Sequence, residues 1–509
     1  MRMCRVQIVG SKGVLQGVIE DLHSMKLLHL EEYSAGKYDE DCFDIGAPFG
    51  KASTTSEKLV KVRVVINFLG IGKKEFKKDV LGSNSWERFK AIEKAVLGLH
   101  EKKKGLEAAV KANNSKRGEK KEKTNLEGVN KSMKKVVDTY GAFLYNYEKE
   151  LKAETEKAEA PLRFAVSTNA FIVDGWVPEK DYKKVEKILE DRTGGKVHME
   201  QLEDCIDAPP TELQNPGGIE SFEFFLKLYS LPSYKELDPT MFVFITFPLF
   251  FGFMLGDVGY GIATFIAFYL AGRKMSGASK GFVNAMMIAS VGAIIFGFVF
   301  GEFFGASMGY TPLLHRAGEH QDQIMLMIMI SVLIGALHIT SGFVLNAVNG
   351  FKAHGVKGAV LEGGSWLLLE LGAIMLIVQN QGWFAAPYLF EAGAGVIVLS
   401  IIMIYMGHGV AGLIELPSVL SNILSYARLF AIGLASVILA VIINDSVGNM
   451  IQMGWMWWPL AGIILVLGHA LNIAIGLLGG FLQSLRLHYV EFFTKFYKGG
   501  GKKYEPFGA

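Results

Sequence analysis

SNILSYARLFAIGLASVILA (421–440) and GHALNIAIGLLGGFLQSLRLHYVEFF (468–493) decide how this chain is read. Each is long and apolar enough to lie in a bilayer as a helix, which takes about 20 residues. Each also carries one internal arginine, Arg428 and Arg486. A guanidinium stays protonated at biological pH. Holding one at mid-bilayer costs roughly 2.5–3.5 kcal/mol even on the lenient insertion scale. Helix packing needs no guanidinium, so both arginines are functional candidates, and the question is what anion they face.

Gly468, Asn472, Gly476, Gly479, Gln483 and Arg486 recur at steps of 4, 4, 3, 4 and 3 residues. This is a helical period, so one face of the last apolar helix is small or polar along its length. The preceding helix repeats the device with Ser418, Ser421, Ser425, Arg428 and Ala435. Small residues admit a second helix at close range, which makes Ser425, Ala435, Gly476 and Gly479 candidate packing positions. Ionisable groups collect at the ends. Glu415 precedes Arg428 by 13 residues and Asp445 follows it by 17; His469 precedes Arg486 by 17, and His488 and Glu491 follow it. Acids toward both faces with a fixed cation between them suggest two separate aqueous inlets. Glu302, His338, Glu362, Glu370, Glu391 and His408 are further candidates, His338 and Glu370 lying deepest in their runs.

The 509 residues are half hydrophobic yet 20% charged, an average that hides a division near residue 240. Earlier residues are rich in Lys and Glu. Later ones form apolar runs near 241–271, 282–304, 324–349, 359–378, 393–406, 417–443 and 456–489. Arg273, Lys274 and Lys280 follow the first run, Lys352 and Lys357 the third, and Lys495, Lys498, Lys502 and Lys503 the last. Positive loops stay cytoplasmic. All three clusters share a side with the N-terminal half only if the first run crosses twice, reversing at Gly256-Asp257-Val258-Gly259 with Asp257 at a wet outer tip. Eight crossings are then expected, the alternative being that 241–271 forms one long tilted helix. The start, MRMCRVQIVG (1–10), has no long apolar core like that of a signal peptide, so insertion is expected to rely on the later helices.

In the N-terminal half, 5–9, 13–25 and 27–31 read as strand, helix, strand, and 171–176, 179–193 and 196–201 repeat that order. Between them 76–160 carries sparse, helically spaced apolar positions among many charges, the pattern of a long helical hairpin with its turn at ANNSKRGEK (112–120). The layout expected is two lobes held apart by a stalk. Cys4, Cys42 and Cys205 form no CxxC pair and read as reduced thiols, with no metal site. The Lys-rich stretch 101–135 holds glutamates and no interleaved aromatics, which argues against nucleic acid. No P-loop motif occurs, and the one GxGxxG (Gly407, Gly409, Gly412) sits in no strand–turn–helix unit, so neither an ATP site nor any other cofactor is expected.

IVDGWVPEKD (172–181), LYSLPSYKELDPTMFVFITFPLFFGFMLGDVGYG (228–261), IELPSVLSNILSYARLFAIGLA (414–435) and the last helix continued to PF507 together resemble the membrane subunit of rotary V/A-type ATPases, subunit a in eukaryotes and subunit I in archaea and bacteria. The resemblance implies a non-catalytic, ion-conducting stator: two half-channels against a proteolipid ring (c/K subunits), coupled to ATP hydrolysis or synthesis. It implies peripheral-stalk partners of E/G type, a central-stalk d/C-type subunit, and a multi-pass place in the cell membrane with the N-terminal domain and the C-terminus cytoplasmic. Arg428 falls in the family's SYxRL motif and Arg486 in its LRLxxVEF motif. Glu415 resembles an acid preceding the first arginine. Ser436 and Gln483 stand where eukaryotic members carry histidines and Gly476 where they carry an acid, which leaves His469 and Asn472 as substitutes at the outer inlet. The expected architecture is thus a two-lobed cytoplasmic α/β domain with a coiled-coil arm (1–235; lobes 1–75 and 161–210, arm 76–160) and an all-α membrane domain (236–509), its last two helices long and tilted. The ion, H⁺ or Na⁺, is left open. The rival readings are a secondary ion transporter, disfavoured by the lack of an internal repeat across the apolar spans, and a membrane-anchored coiled-coil scaffold, which leaves both arginines without a role.

Overall fold

A computed structural model describes residues 1–33, 42–71, 82, 84–112, 116–202, 208–316, 321–381 and 388–509. Cys205 and part of the expected turn at 112–120 lie outside them. The chain divides into two compact units, Met1–Pro210 with Lys503–Ala509, and Thr211–Lys502.

In the first unit the strands are β1 (Met3–Ser11), β2 (His29–Leu30), β3 (Asp44–Ile45), β4 (Ala165–Val166), β5 (Ala170–Pro178) and β6 (Val197–Gln201). The helices are α1 (Leu15–Met25), α2 (Ala52–Leu69), α3 (Ser85–Ala112), α4 (Lys116–Glu159) and α5 (Tyr182–Thr193). The two β-α-β copies do not make two lobes. β1 pairs antiparallel with β5 along its whole length, β6 pairs with β1 and β2 with β5. Each copy alone would leave an unpaired edge and a bare apolar face; pairing closes both. Val6, Ile8, Val173 and Val177 meet Val18, Leu22, Val185 and Leu189 of α1 and α5 in one core. β2 passes so close to Gly175 that a Cβ there would lie 2.5 Å from the His29 carbonyl oxygen.

The long charged helices α3 and α4 form as the spacing predicts. The base of the arm is a three-helix cluster, however. α2 brings Leu59, Val62 and Val65 against Phe89, Ile92 and Val96 of α3 and Phe143, Leu144 and Tyr147 of α4. Its β-branched composition hides a three-residue spacing of these buried positions.

His23 of α1 sits edge-on to Phe507, ring centroids 5.1 Å apart, with Nε2 3.6 Å from Glu156 Oε2, beyond hydrogen-bond reach. Burial, aided by Lys157 and opposed by Glu156, holds its pKa below the ordinary 6.5. As pH falls the unfolded chain therefore takes up this proton first. Stability is unaffected by His23 above about pH 6.5 and declines as pH drops through 6.5 toward the depressed folded value. The purified protein's melting temperature is expected to fall by about a few degrees more between roughly pH 7.5 and 5.5 than that of His23→Gln; equal slopes in thermal scans would rule this out.

The second unit opens with α6 (Glu223–Tyr229), then α7 (Thr240–Leu255), α8 (Val258–Gly272) and α9 (Ala278–Phe300). A short ribbon follows, β7 (Glu302–Phe303) with β8 (Ala306–Ser307). Then come α10 (Gln321–Gly358), α11 (Ser365–Asn380), α12 (Leu389–Leu424), α13 (Ala427–Gln452) and α14 (Trp458–Arg486). Among the described residues, four stretches are by length and composition long and apolar enough to cross a membrane: Ser279–Phe300, Asp322–Asn380, Leu389–Gln452 and Trp455–Lys495. α7 and α8 are shorter apolar helices. The second and third stretches turn at Gly355 (φ 68°) and Gly409 (φ 63°), a left-handed conformation that glycine adopts without cost. A Cβ at Gly363 would meet Phe343 and Ala347, and one at Gly412 would meet Ile404, so the chain runs back on itself at each turn.

The first apolar run breaks at Gly256-Asp257 as its glycines predict. Position 252 of α7 approaches Gly292 of α9, while Gly261 of α8 approaches Ser290 and Ile294, so α7 and α8 are antiparallel. Asp257 is not at a wet tip. It is 2% exposed, and its carboxylate accepts N–H bonds from Tyr260 (2.9 Å), Phe304 (3.0 Å) and Gly305 (2.8 Å). The short hairpin leaves helix-start amides that need an acceptor, and the carboxylate supplies it inside the protein.

Candidate functional site

Both arginines lie on the helices that the sequence singles out. α12 ends at Leu424 and α13 begins at Ala427, and the chain tightens between them. Tyr426 N donates to Ile423 O, Arg428 N to Ser425 O and Leu429 N to Tyr426 O, all three-residue steps. Arg428 follows this turn, half-buried, and its Nη1 donates to Gln483 Oε1 of α14 at 3.1 Å. Beyond Arg486 the backbone widens into a π-helical turn, Leu487–Phe492. In a regular α-helix residues five apart point about 140° apart. The wider turn brings position i+5 back beneath i. Glu491 thereby comes to 3.9 Å from both Arg428 Nη1 and Arg486 Nε. One carboxylate, 2% exposed, thus lies between two guanidiniums at a distance too long for hydrogen bonding. With Glu491 ionised the trio keeps one positive charge. Arg486 remains 54% exposed and Arg428 24%, so the charge is presented at the surface of the unit.

A second polar group gathers at His469. Asn444 Nδ2 donates to Phe304 O at 2.8 Å, which turns its Oδ1 toward His469 Nε2 at 3.1 Å. Nε2 must then carry the hydrogen, and Nδ1 accepts from Tyr260 Oη at 2.8 Å. Asn472 donates to Tyr260 Oη (2.9 Å) and to Ser436 O (2.8 Å). His469 and Asn472 are therefore joined through Tyr260, while Asn444 holds the other ring nitrogen of His469; the sequence reading missed both partners. Tyr260 stands in the apolar run four residues after Gly256, and nothing in its spacing marks it.

The remaining expectations separate. Glu415 is exposed and lines a cavity of about 300 Å³ with Glu362, Trp366, His408, Thr494 and Lys495. Asp445 is exposed on α13. His488 is fully buried and is not presented to the arginines. Its Nδ1 donates to Ser484 O at 2.6 Å, its Nε2 meets Thr246 Oγ1 at 2.7 Å, and Phe247, Phe250 and His338 surround the ring. Its place is set by the core, since the π turn rotates it inward. The polar stripe of α14 also divides. Asn472 and Gly476 are buried with His469, Gly480 and Ser484, and a Cβ at Gly476 would touch Leu255 and Ser436. Gly476 thus serves packing within the chain. Ala435 is exposed, and Ser425, Gly479 and Gln483 are half-buried. Glu370 accepts from Thr340 Oγ1 at 2.7 Å, and His338 shares a bond with Tyr426.

The sequence reading also passed over Arg316. It is 1% exposed, ion-paired to Glu302, and it donates to the carbonyls of Met254 (3.2 Å) and Gly256 (2.7 Å) at the end of α7.

Residues 89–313 and 414–509 match the model of the V-type ATPase 116kDa subunit family. The chain is similar to A-type ATP synthase subunit I of Archaeoglobus fulgidus, 35% identical over 421 residues, covering 71% of this chain and 62% of the relative. It is similar to that of Halobacterium salinarum at 30% (75% and 67%) and to that of Pyrococcus horikoshii at 33% (77% and 62%). The chain thus spans 62–67% of the length of these relatives.

Proposed function

Because this chain belongs to the V-type ATPase 116kDa subunit family, we propose that it is the ion-conducting stator of a rotary ATPase, translocating H⁺ or Na⁺ against a ring of small proteolipid subunits. The observation that carries this reading is the Arg428–Glu491–Arg486 trio, which keeps net positive charge and a partly open face on two apolar helices.

A carboxylate crossing lipid stays neutral or cation-loaded, because a bare charge there is expensive. Beside Arg428 the opposite charge favours ionisation, and the ion leaves. Past the arginines the carboxylate reloads from the other side. A fixed cation between the inlets also repels a leaking ion. The cavity at Glu415, Glu362, His408 and Lys495 would serve one inlet. The Tyr260–His469–Asn444 chain, with Asn472 and Asp445 near it in sequence, would serve the other. Ser425, Ala435 and Gly479 would face the ring. Eight crossings are proposed, counting α7 and α8 as a short pair and the turns at Gly355 and Gly409 as reversals. The loop charges then place the N-terminal unit and the C-terminus on the cytoplasmic side. The N-terminal unit would hold peripheral- and central-stalk subunits.

The test is assembly and transport. Affinity-tagged chain drawn from gently solubilised membranes should bring down a proteolipid and ATP-hydrolysing subunits, and vesicles containing that complex should accumulate the ion on adding ATP. Recovery of the chain alone, with ion uptake indifferent to ATP, would refute the assignment.

A further inference from the structure

The turn that presents Arg428 is held from behind. Tyr426, two residues earlier, is fully buried. Its ring lies across Gly335 of α10 so closely that a Cβ there would stand 2.5 Å from Tyr426 Cγ. One helical turn on, His338 Nδ1 shares a 2.6 Å hydrogen bond with the Tyr426 hydroxyl. Residues three apart on a helix share a face, so α10 offers a slot and a polar stop to a single side chain. His338 is itself clamped, stacked on Phe492 at 4.0 Å and edge-on to Phe250 at 4.9 Å. Phe492 directly follows Glu491 and closes the π turn, so one stack braces both the arginine turn and the carboxylate between the arginines.

In a tightened turn of three residues, side chains two positions apart point roughly 120° apart. Tyr426 therefore faces inward while Arg428 faces Gln483. Only one residue separates them, so a shift of the backbone at Tyr426 is passed on to Arg428.

We infer that Tyr426 and His338 form a positioning pair that sets the orientation of Arg428 toward the passing carboxylate. The inference rests on the stator reading above. It concerns geometry alone, since neither residue meets the ion. Displacements of about 1 Å at a reacting centre cost up to about 100-fold in rate, and loss of one buried hydrogen bond is expected to cost about tenfold.

The experiment uses the whole complex in proteoliposomes. Tyr426→Phe keeps the ring and loses the hydroxyl. Its maximal ATP-driven uptake should fall about tenfold, with the half-saturating ATP concentration unchanged and all subunits retained. His338→Gln, which still offers a hydrogen-bonding group, should keep most of the rate, whereas His338→Leu should match Tyr426→Phe. The double variant Tyr426→Phe/His338→Leu should be no worse than either single one. Wild-type uptake by Tyr426→Phe, equal loss in His338→Gln and His338→Leu, or multiplying losses in the double variant would each overturn the pairing. Should Tyr426→Phe not assemble, the contrast between the two His338 variants decides. Arg428→Ala run alongside separates the two ideas. If it abolishes uptake while Tyr426→Phe is silent, only the positioning role falls; if it transports normally, the stator reading itself falls.

Discussion

With Arg428 replaced by lysine, ATP-driven ion uptake by the assembled complex is expected to drop by about 100-fold or more. Charge alone would survive that change. What is lost is a planar fork that holds Gln483 Oε1 at 3.1 Å with one nitrogen while its other N–H groups remain for an incoming carboxylate. An ammonium on a flexible stem is a point charge. It could turn toward Gln483 or Glu491 and present nothing fixed to the ring. A lysine also loses its proton more readily when partly buried. Removing one preorganised donor from a charge-stabilising site typically costs about 100- to 1000-fold in rate. Arg486→Lys is the internal comparison. Arg486 is more than half exposed and reaches Glu491 only at 3.9 Å, so its loss should be the smaller. Uptake per ATP hydrolysed, measured in proteoliposomes, checks both. An Arg428→Lys complex that pumps at the wild-type stoichiometry and rate would remove this residue from the mechanism.

Arg316→Leu is expected to destabilise the second unit by about 3–5 kcal/mol, because it leaves one half of a buried ion pair alone. Both ends of the damage are visible. Glu302 is 8% exposed and loses its cation. The carbonyls at the end of α7, including those of Met254 and Gly256, lose a donor where a helix has no amide of its own to offer. The guanidinium also lies over the Phe300 ring, 4.4 Å from its centroid, and that contact goes too. Thermal unfolding of the detergent-solubilised protein should show the loss. The paired variant Arg316→Leu/Glu302→Leu should recover part of it, since exchanging a whole buried pair for apolar groups is often near neutral. A single variant that melts with the wild type would show that the pair contributes nothing to the fold.

These two residues mark where reading the sequence succeeds and where it stops. Arg428 is conspicuous because it stands inside a largely apolar stretch, 421–440, and the cost of its charge needs no coordinates. Arg316 lies in a loop, where an arginine is ordinary, and only the return of that loop to the end of α7 makes it a buried cap. The reversal at Gly256-Asp257 was legible from two glycines. The fate of the aspartate was not, because its three amide donors come partly from residues nearly fifty positions later. The duplicated β-α-β order was legible, but β1 pairing with β5 across the intervening residues 12–169 was not, and two expected lobes became one sheet.

Residue types alone mark the segments apolar enough for a membrane and the cations that stand among them, since both follow from transfer free energies that are nearly local. What those cations touch depends on how the chain folds around them. Glu491 reaches both guanidiniums because a π turn changes the angular step along the chain, and His488 turns into the core for the same reason. A residue's type sets the free-energy cost of its placement, whereas its partners depend on backbone angles and on neighbours far away in sequence.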